Sequence, residues 1–253
     1  MKPRALIFDV DGTLADTEEA HRRAFNAAFL AHGLAWEWSP SLYGDLLGVT
    51  GGKERIGKYL ESLPVPEAEK ASLRRLVPLV HSTKTRLFTE FVEMGNVPLR
   101  PGVARLIAEA RAAAVPLGIA STTTPANVNT LLTRALGLGA LSWFGAIATG
   151  DVVANKKPAP DIYRLALGTL RLPADGCVAI EDSALGVRAA KAAGLYTVAV
   201  PTRWTVAQDL SVADLVLPSL GDLQHPLDAA AASRIGGATM LGLAQLGALL
   251  ATV

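Results

Sequence analysis

The stretch Arg4-Ala-Leu-Ile-Phe-Asp-Val-Asp-Gly-Thr13 decides the fold of this chain. Its apolar part, Ala5 to Phe8, is typical of a buried strand, and two carboxylates one residue apart follow it. In open α/β sheets, ligands bind at the carboxyl ends of strands. Asp9 and Asp11 repel each other there, and each costs roughly several kcal/mol to desolvate without a countercharge. We therefore expect a hard metal ion with oxygen ligands; the alternative is that both aspartates cap the following turn.

Length, charge and cysteine content narrow the class of protein. The chain has 253 residues, enough for one large domain or for a core domain carrying a smaller one. Lys and Arg total 24 and Asp and Glu 23, so we expect neither nucleic acid nor membrane as a partner. We also expect a monomer. The single cysteine, Cys177, excludes a disulfide framework. This favours a reduced, cytoplasmic location, or the plastid stroma for a plant chain without its transit peptide.

Alternating strand and helix patterns predict an α/β fold, with a Rossmann-like three-layer core around a parallel sheet. Helices separate the later strands, which are predicted to begin near Leu117, Ala146, Val178, Thr197 and Leu215. Only helical patterns occur between Thr17 and Glu93, which predicts an inserted helical cap domain. We assign residues 1–16 and 95–253 to the core domain and 17–94 to the cap.

A cap inserted after the first strand lies over the carboxyl ends of the strands, where a lid is needed. The two crossings between cap and core, near residues 15–17 and 94–98, are the predicted hinges. Asp16 is predicted to cap the first cap helix, with Glu19 reaching back to it.

The segment Ile235 to Val253 carries no charge, which brings it close to the lower limit for a membrane span. Glycine, threonine and glutamine dilute its hydrophobicity, so a helix packed on the body is favoured over insertion. The residues expected to pack are Leu241, Leu243, Leu246, Leu249 and Leu250.

Ser121 follows the apolar run that begins at Leu117 and opens the sequence Ser-Thr-Thr-Thr-Pro125. Thr124 suits the N-cap of the next helix and Pro125 its first position. Backbone N–H groups at such a helix start, together with the Ser121 hydroxyl, form a cradle for an anion. The alternative is that these hydroxyls only cap the helix.

Charged groups follow in two later segments. The prolines at positions 158 and 160 predict an extended backbone that presents Lys157 rigidly, as a partner for phosphate beside the carboxylates. The neighbouring Lys156 is interpreted as a solvated surface charge. Glu181 and Asp182 end another apolar strand and supply oxygen ligands for Mg²⁺; helix capping explains one of these acids but not both.

The ordered set Asp-x-Asp-Gly-Thr, Ser, Lys-Pro and Glu-Asp resembles the four motifs of haloacid dehalogenase-type phosphatases, from residue 5 to about 200. The resemblance implies that Asp9 is the nucleophile and forms an aspartyl-phosphate. Asp11 would protonate the leaving oxygen and then activate water. It also implies Mg²⁺ held by Asp9, the Asp11 carbonyl and Asp182, with Glu181 acting through the water shell. The transferring phosphoryl group would be bound by Ser121, Thr122 and Lys157.

The cap resembles that of the β-phosphoglucomutase-like subgroup and, within it, the CbbY branch of sugar-phosphate phosphatases. The segments that carry this resemblance are Glu18 with His21, Gly48-Val-Thr-Gly-Gly-Lys53, His81-Ser-Thr-Lys-Thr-Arg86, Lys156 to Tyr163, and Pro201 to Thr205. The substrate-binding residues would be Glu18, His21, Gly48, Thr50, Gly51, Gly52, Lys53, Lys84, Arg86 and Thr123. The CbbY branch implies hydrolysis of xylulose-1,5-bisphosphate, an inhibitor of Rubisco in carbon fixation, to xylulose 5-phosphate.

Simpler interpretations stay open for the cap residues. His21 could equally be an ordinary, partly exposed residue of a helix. The glycine-rich segment could be a helix–helix loop, and Lys84 with Arg86 could form a solvated basic face of a helix. Trp36, Trp38 and Trp204 are predicted to pack in the core or in loops.

The rival activities also stay open. One is β-phosphoglucomutase, although Thr13 favours hydrolysis over the mutase activity. Another is a broad-specificity or phosphoglycolate phosphatase. More distant is a phospho-accepting receiver module, a class that is half this size and lacks an inserted lid.

Overall fold

A computed structural model of the chain describes residues 2–95 and 97–252. Strand β1 (Ala5–Phe8) is followed by four cap helices, α1 (Glu18–Ala31), α2 (Pro40–Leu46), α3 (Gly52–Ser62) and α4 (Glu67–Glu93). The core continues with α5 (Val103–Ala112), β2 (Leu117–Ser121), α6 (Pro125–Leu136), a 3-10 turn (Ala140–Trp143), β3 (Phe144–Thr149) and α7 (Asp161–Leu170). It ends with β4 (Cys177–Glu181), α8 (Ala184–Ala192), β5 (Tyr196–Ala199), β6 (Leu215–Val216), α9 (Ala229–Ser233) and α10 (Leu243–Leu250).

The six strands form one parallel sheet in the order β3-β2-β1-β4-β5-β6. Strand β1 pairs with β2 on one side and with β4 on the other, so Phe8 lies opposite both Ile119 and Ile180. The carboxyl end of β1 therefore lies at the point where the strand order reverses, which is the ligand-binding position of such sheets. The predicted α/β core with a parallel sheet and a helical cap is confirmed.

The side chains of the strands form two core clusters, one on each face of the sheet. Leu6, Phe8 and Ile119 belong to a large core cluster, whereas Ala5 and Ala179 belong to a second cluster on the other face, beneath α7 and α8. Both faces are thus buried, as parallel sheets require, and the near-continuous apolar runs in the sequence reflect this. The rigid sheet fixes the strand ends that carry the polar residues.

An aromatic cluster forms the interior of the cap. Phe25, Phe29, Trp38 and Tyr43 are fully buried there and contact one another through offset and edge-on ring pairs. The half-buried Trp36 and Trp204 pack on the same cluster, so the packing prediction for all three tryptophans is confirmed. Because Trp204 belongs to the core, this cluster also joins the cap to the core.

The crossings between cap and core run side by side. Ala15 bridges to Leu99, and the Arg100 side chain donates to the carbonyl oxygens of Gly12 and Pro201, the second at 2.9 Å. Of the hinge predicted near 94–98, Asn96 lies outside the described residues. These bonds hold the two segments that connect cap and core next to the polar residues at the strand ends.

The predicted N-cap at Asp16 is wrong. Helix α1 begins at Glu18, its N-cap position is Thr17 in a helical conformation, and no side chain caps it. Asp16 is exposed, and Glu19 pairs with Arg22 at 2.7 Å instead of reaching back. The Thr17 hydroxyl is used elsewhere, because it donates to Asp11 at 2.7 Å.

The uncharged C-terminal segment packs on the body, as predicted, up to Thr252; Val253 lies outside the described residues. Leu241 and Leu246 are fully buried. Glu109 of α5 accepts the Leu243 N–H at 2.9 Å and so supplies the first turn of α10 with an acceptor. Among the helices of residues 2–95 and 97–252, none combines the length and apolar character needed to cross a membrane.

Candidate active site

The polar residues predicted from four separate motifs meet at one edge of the sheet. Asp9 follows β1, Ser121 ends β2, and Glu181 with Asp182 ends β4. Lys157 reaches the same point from the loop between β3 and α7. All five side chains are buried. Parallel strands explain this convergence, since their carboxyl ends share one edge.

Lys157 neutralises part of the charge at this edge. Its Nζ lies 2.6 Å from Asp9 Oδ1 and 2.5 Å from Glu181 Oε1. Burial alone lowers the pKa of Lys157, but the attraction of the two carboxylates outweighs it and raises that pKa above its usual value. Tyr163 donates to the same Glu181 oxygen at 2.5 Å, which fixes the carboxylate from behind.

The loop that carries Lys157 is a turn, so the predicted extended backbone is wrong. Lys157 and Pro158 are joined by a cis peptide bond, and the Ala159 N–H donates to the Lys156 carbonyl at 3.0 Å. Lys156 is not a free surface charge either. It pairs with Glu54 of the cap at 2.6 Å and with Asp151 at 2.7 Å.

The three acids Asp9, Glu181 and Asp182 form a group suited to a metal ion. One carboxylate oxygen from each lies within 4.8 Å of the others. Burial, with repulsion from Glu181 and Asp11, raises the pKa of Asp9 to about 7 against the opposing attraction of Lys157. Burial, with repulsion from Asp9 and Glu181, raises the pKa of Asp182 well above its usual value. One ammonium group does not balance these acids, and oxygen donors with excess negative charge fit a hard divalent cation such as Mg²⁺.

Two glycines make room for the acids. A Cβ at Gly12 would lie 2.3 Å from Asp182 Oδ2, and one at Gly186 would lie 2.0 Å from Glu181 Oε2. Gly12 also has a φ of +83°, which other residues rarely adopt. Thr205, which the sequence analysis missed, donates to Asp182 Oδ2 at 3.1 Å. The sequence indicated Thr205 only through the family resemblance of the segment Pro201 to Thr205.

The predicted anion cradle has the expected local structure. The Thr124 side chain accepts from the Asn127 N–H at 3.4 Å, and Pro125 occupies the first turn of α6. The Ser121 hydroxyl accepts from the Thr123 N–H at 3.4 Å, and Ser121, Thr122 and Thr123 all line the cavity between cap and core. Asn127 lines it too and was missed; its buried Oδ1 atom has no partner among the described residues. The cradle therefore offers hydroxyl and backbone groups to an anion beside Asp9.

A chain of hydrogen bonds connects the cap to Asp11. Lys84 Nζ lies 2.8 Å from His21 Nδ1, and His21 Nε2 lies 2.9 Å from Asp11 Oδ1. Burial alone raises the pKa of Asp11, but attraction to His21 and the bonds from His21 and Thr17 outweigh it and hold the pKa below its usual value. Burial and the Lys84 charge lower the pKa of His21. The Asp11 carboxylate is therefore charged, and hydrogen bonds link it through His21 to the ammonium group of Lys84.

Many predicted residues line the cavity. They are Asp9, Asp11, Glu18, His21, Thr50, Gly51, Gly52, Lys84, Ser121, Thr122, Thr123, Lys157 and Asp182. Glu181 lies behind them, in contact with Lys157. His21 and Lys84 are 4% and 5% exposed, so neither is the surface residue that the simpler interpretation allowed.

Three cap residues predicted to bind substrate lie elsewhere. Arg86 is exposed and pairs with Glu90 one helical turn away. Lys53 is exposed and pairs with Asp151 of the core at 2.7 Å, and Gly48 is exposed before α3 begins. The basic residue of this region that faces the cavity is Arg55, which the sequence analysis missed. Lys53 and Arg55 are two residues apart on a helix, so they cannot face the same way.

The sequence and the fold assign a class to this protein. The model of the haloacid dehalogenase-like hydrolases matches residues 3–194, and the chain belongs to that family. A receiver module is thereby excluded, and the predicted phosphoric monoester hydrolase is confirmed.

Within the family, the chain is similar to CbbY proteins. Protein CbbY of Cupriavidus necator is 51% identical over 224 residues, which cover 88% of this chain and 88% of that protein. CbbY from Rhodobacter sphaeroides in an aspartate-to-asparagine form, in complex with xylulose-1,5-bisphosphate, superposes with a TM-score of 0.79 at 44% identity, over 88% of this chain and 98% of that chain. β-Phosphoglucomutase from Clostridium difficile superposes with a TM-score of 0.68 at 25% identity, over 87% and 93% of the two chains. The predicted CbbY resemblance is confirmed.

Proposed function

We propose that the protein is a Mg²⁺-dependent sugar-phosphate phosphatase that hydrolyses xylulose-1,5-bisphosphate to xylulose 5-phosphate through an aspartyl-phosphate. The observation that carries this proposal is the distribution of charge around the cavity. Lys157 lies beside Asp9 on the core side, and Arg55 and Lys84 line the cap side. Cations on both sides of one cavity suit a small substrate with a phosphate at each end. The CbbY relative with bound xylulose-1,5-bisphosphate supports the choice of sugar.

Each step of hydrolysis has a residue suited to it. An Asp9 oxygen attacks phosphorus, the bond from phosphorus to the sugar oxygen breaks, and that oxygen takes a proton that reaches Asp11 from Lys84 through His21. Water then attacks phosphorus and gives a proton to Asp11, the bond between phosphorus and the Asp9 oxygen breaks, and phosphate is released. Ser121 and Lys157 offset the charge on the phosphoryl oxygens. Asp9, Asp182 and the Asp11 carbonyl would hold Mg²⁺, which would supply the charge neutralisation that lets two anions approach.

β-Phosphoglucomutase is the second candidate, because the fold and the His21–Asp11 contact suit proton transfer in either activity. The two differ in whether water reaches the aspartyl-phosphate. A mutase returns phosphate to the sugar and releases none, whereas a phosphatase releases one phosphate for each bisphosphate consumed.

Phosphate release with Mg²⁺ tests the proposal. Xylulose-1,5-bisphosphate, β-glucose 1-phosphate and phosphoglycolate are compared as substrates, with and without EDTA. We expect stoichiometric phosphate and xylulose 5-phosphate from the first, and loss of activity with EDTA. Asp9→Asn is expected to lower the rate at least about 1,000-fold while the fold is kept. Isomerisation of β-glucose 1-phosphate, or a clear preference for phosphoglycolate, would show that the proposed substrate is wrong.

A further inference from the structure

Tyr43 of α2 lies behind the cavity wall and joins two residues that form it. Its side chain is fully buried and does not line the cavity, whereas Glu18 and Arg55 do. The Tyr43 hydroxyl donates to Glu18 Oε2 at 2.5 Å and accepts from Arg55 Nη1 at 3.0 Å. The Arg55 guanidinium carbon also lies 5.2 Å from the centre of the Tyr43 ring. One hydroxyl therefore contacts both a carboxylate and a guanidinium of the cap.

The donor and acceptor roles in this contact are fixed by chemistry. Guanidinium has only donors, and an ionised carboxylate only accepts. The hydroxyl must therefore give its single proton to Glu18 and use a lone pair for Arg55. Burial and the Glu18 charge raise the pKa of Tyr43 well above its usual value, so the hydroxyl keeps that proton.

The hydroxyl also separates two opposite charges. In the described structure Glu18 and Arg55 are each bonded to Tyr43 rather than to each other. Arg55 has further bonds to the carbonyl oxygens of Leu46 and Val49. With the bond to Tyr43, these use three of the five guanidinium N–H groups, so two remain for an anion in the cavity that Arg55 lines. Without the hydroxyl, direct pairing of Glu18 with Arg55 would draw both groups from the cavity surface.

The aromatic surroundings hold the hydroxyl in place. The Tyr43 ring lies 6.1 Å from Trp38 in the cap and 5.5 Å from Trp204 of the core, measured between ring centres. Trp204 directly precedes Thr205, which donates to Asp182 in the acid cluster. The position of the hydroxyl is thus defined from both the cap and the core.

We propose that Tyr43 is a positioning residue for substrate selection, whose hydroxyl keeps Glu18 and Arg55 apart so that they bind a sugar hydroxyl and a second phosphate. The proposal rests on the proposed phosphatase function. It assigns selection for phosphorylated polyols to a residue that does not touch the substrate.

The test compares Tyr43→Phe with Tyr59→Phe. Tyr43→Phe keeps the ring and removes the hydroxyl. Tyr59 is a matched control, because its ring packs on Trp38 at 5.5 Å in the same cluster but it does not line the cavity. The substrates are xylulose-1,5-bisphosphate and p-nitrophenyl phosphate, which has no second phosphate and no sugar hydroxyls.

We expect Tyr43→Phe to raise KM for the bisphosphate about 10- to 100-fold, the range for loss of a hydrogen bond to a charged group. Its kcat is expected to change less than about threefold, because the nucleophile and its partners are untouched. Turnover of p-nitrophenyl phosphate should be unchanged, and Tyr59→Phe should behave as wild type on both substrates. An unchanged KM for the bisphosphate, an equal loss on both substrates, or the same loss in Tyr59→Phe would overturn the proposal.

A double-mutant cycle gives a second measurement. Arg55→Lys removes the planar donor that bonds to Tyr43. If the hydroxyl acts by positioning Arg55, Tyr43→Phe should add little to the KM increase of Arg55→Lys. Fully additive effects would show that Tyr43 acts without Arg55.

Failure of the proposed function would be visible in the wild-type protein. If wild type does not hydrolyse xylulose-1,5-bisphosphate, the same comparison is made with the sugar phosphate that it hydrolyses fastest. A selective KM increase in Tyr43→Phe would then still support the positioning role, and an unchanged KM would still exclude it.

Discussion

Lys84 Nζ lies 2.8 Å from His21 Nδ1, although 63 positions separate the two residues in the chain. An ammonium group has no acceptor, so Nδ1 accepts and the proton of the neutral imidazole lies on Nε2. That atom faces Asp11 Oδ1 at 2.9 Å. The hydrogen bond from Lys84 of α4 thus fixes the tautomer of His21 of α1 in which the Nε2 proton points to Asp11, the proposed acid–base residue.

The Lys84 charge predicts an alkaline limit on activity. Burial is the main cause that lowers the pKa of Lys84 from 10.5 to about 8. The folded protein loses this charge above pH 8, so we expect kcat/KM for an anionic sugar phosphate to fall there. The unfolded chain keeps its proton to pH 10.5 and binds more protons between these values, so the free energy of unfolding should rise with pH in this window.

Lys84→Met should remove the alkaline limit and lower kcat/KM about 10- to 100-fold at neutral pH. Lys58→Met, on the exposed side of α3, is the control and should keep the wild-type pH profile. Profiles of kcat/KM from pH 6 to about 10 measure both. A limit near pH 8 that persists in Lys84→Met would assign it to another group.

The neighbours Lys157 and Lys156 are predicted to differ strongly on substitution. Lys157→Met leaves Asp9 and Glu181 buried without their ammonium partner, which should cost about 3–5 kcal/mol of unfolding free energy. Phosphate release should fall at least about 100-fold. Lys156→Met should cost at most about 1 kcal/mol, because its partners are partly exposed. Urea unfolding and phosphate release measure the two effects; similar losses in both variants would contradict the assignment.

Two ion-pair contacts between cap and core predict a salt-dependent KM. Asp151 of the core pairs with Lys53 of the cap at 2.7 Å, and Lys156 of the core pairs with Glu54 of the cap at 2.6 Å. Hydrogen bonds from Lys156 and Lys53 hold the pKa of Asp151 at about 2. More than half of the Asp151 side chain is exposed, so screening by salt should weaken these pairs and favour an open cap.

We expect KM to rise from about 0.05 to 0.5 M NaCl in the wild type, and less steeply in Asp151→Asn. Glu61→Gln is the control, because its partner Arg74 lies in the cap as well. Equal salt dependence in all three proteins would mean that these pairs do not influence closure.

The C-terminal segment is predicted to contribute to stability but not to catalysis. Leu246 is fully buried, so Leu246→Ala should lower the unfolding free energy by about 2–5 kcal/mol. Leu223 is 89% exposed, and Leu223→Ala should change the unfolding free energy by less than about 0.5 kcal/mol. KM and kcat should be unchanged in both, because neither residue lines the cavity. A loss of activity in folded Leu246→Ala would show that the segment reaches the site.

The core half of the site could be predicted because its signals are local. An apolar run followed at once by acids or a hydroxyl places those groups at a strand end, and parallel pairing gathers the ends at one edge. This pattern alone predicts that Asp9, Ser121 and Glu181 lie at strand ends. Lys157 was predicted as a phosphate partner from the prolines that follow it, although the extended backbone expected there is wrong.

The cap half could be predicted only in part, because its inward face depends on how α3 and α4 dock. The basic residues Lys53, Arg55, Lys84 and Arg86 are similar in sequence terms, and only packing decides that Arg55 and Lys84 face the cavity. Tyr43 was missed for the same reason. Its bond to Glu18 joins residues 25 positions apart on different helices, which no spacing rule indicates.

The contact between Lys157 and Asp9 has a consequence for how the chain is made. The two residues are 148 positions apart, so the ribosome completes the first aspartate long before the lysine that neutralises it. Until then the carboxylates at the end of β1 repel one another, and β1 lacks the β4 neighbour on one side. A chain that stops before residue 157 therefore leaves the Asp9 carboxylate without the ammonium group that offsets its charge. The acid group is complete only once β4 has been synthesised, because Glu181 ends that strand and Asp182 follows it.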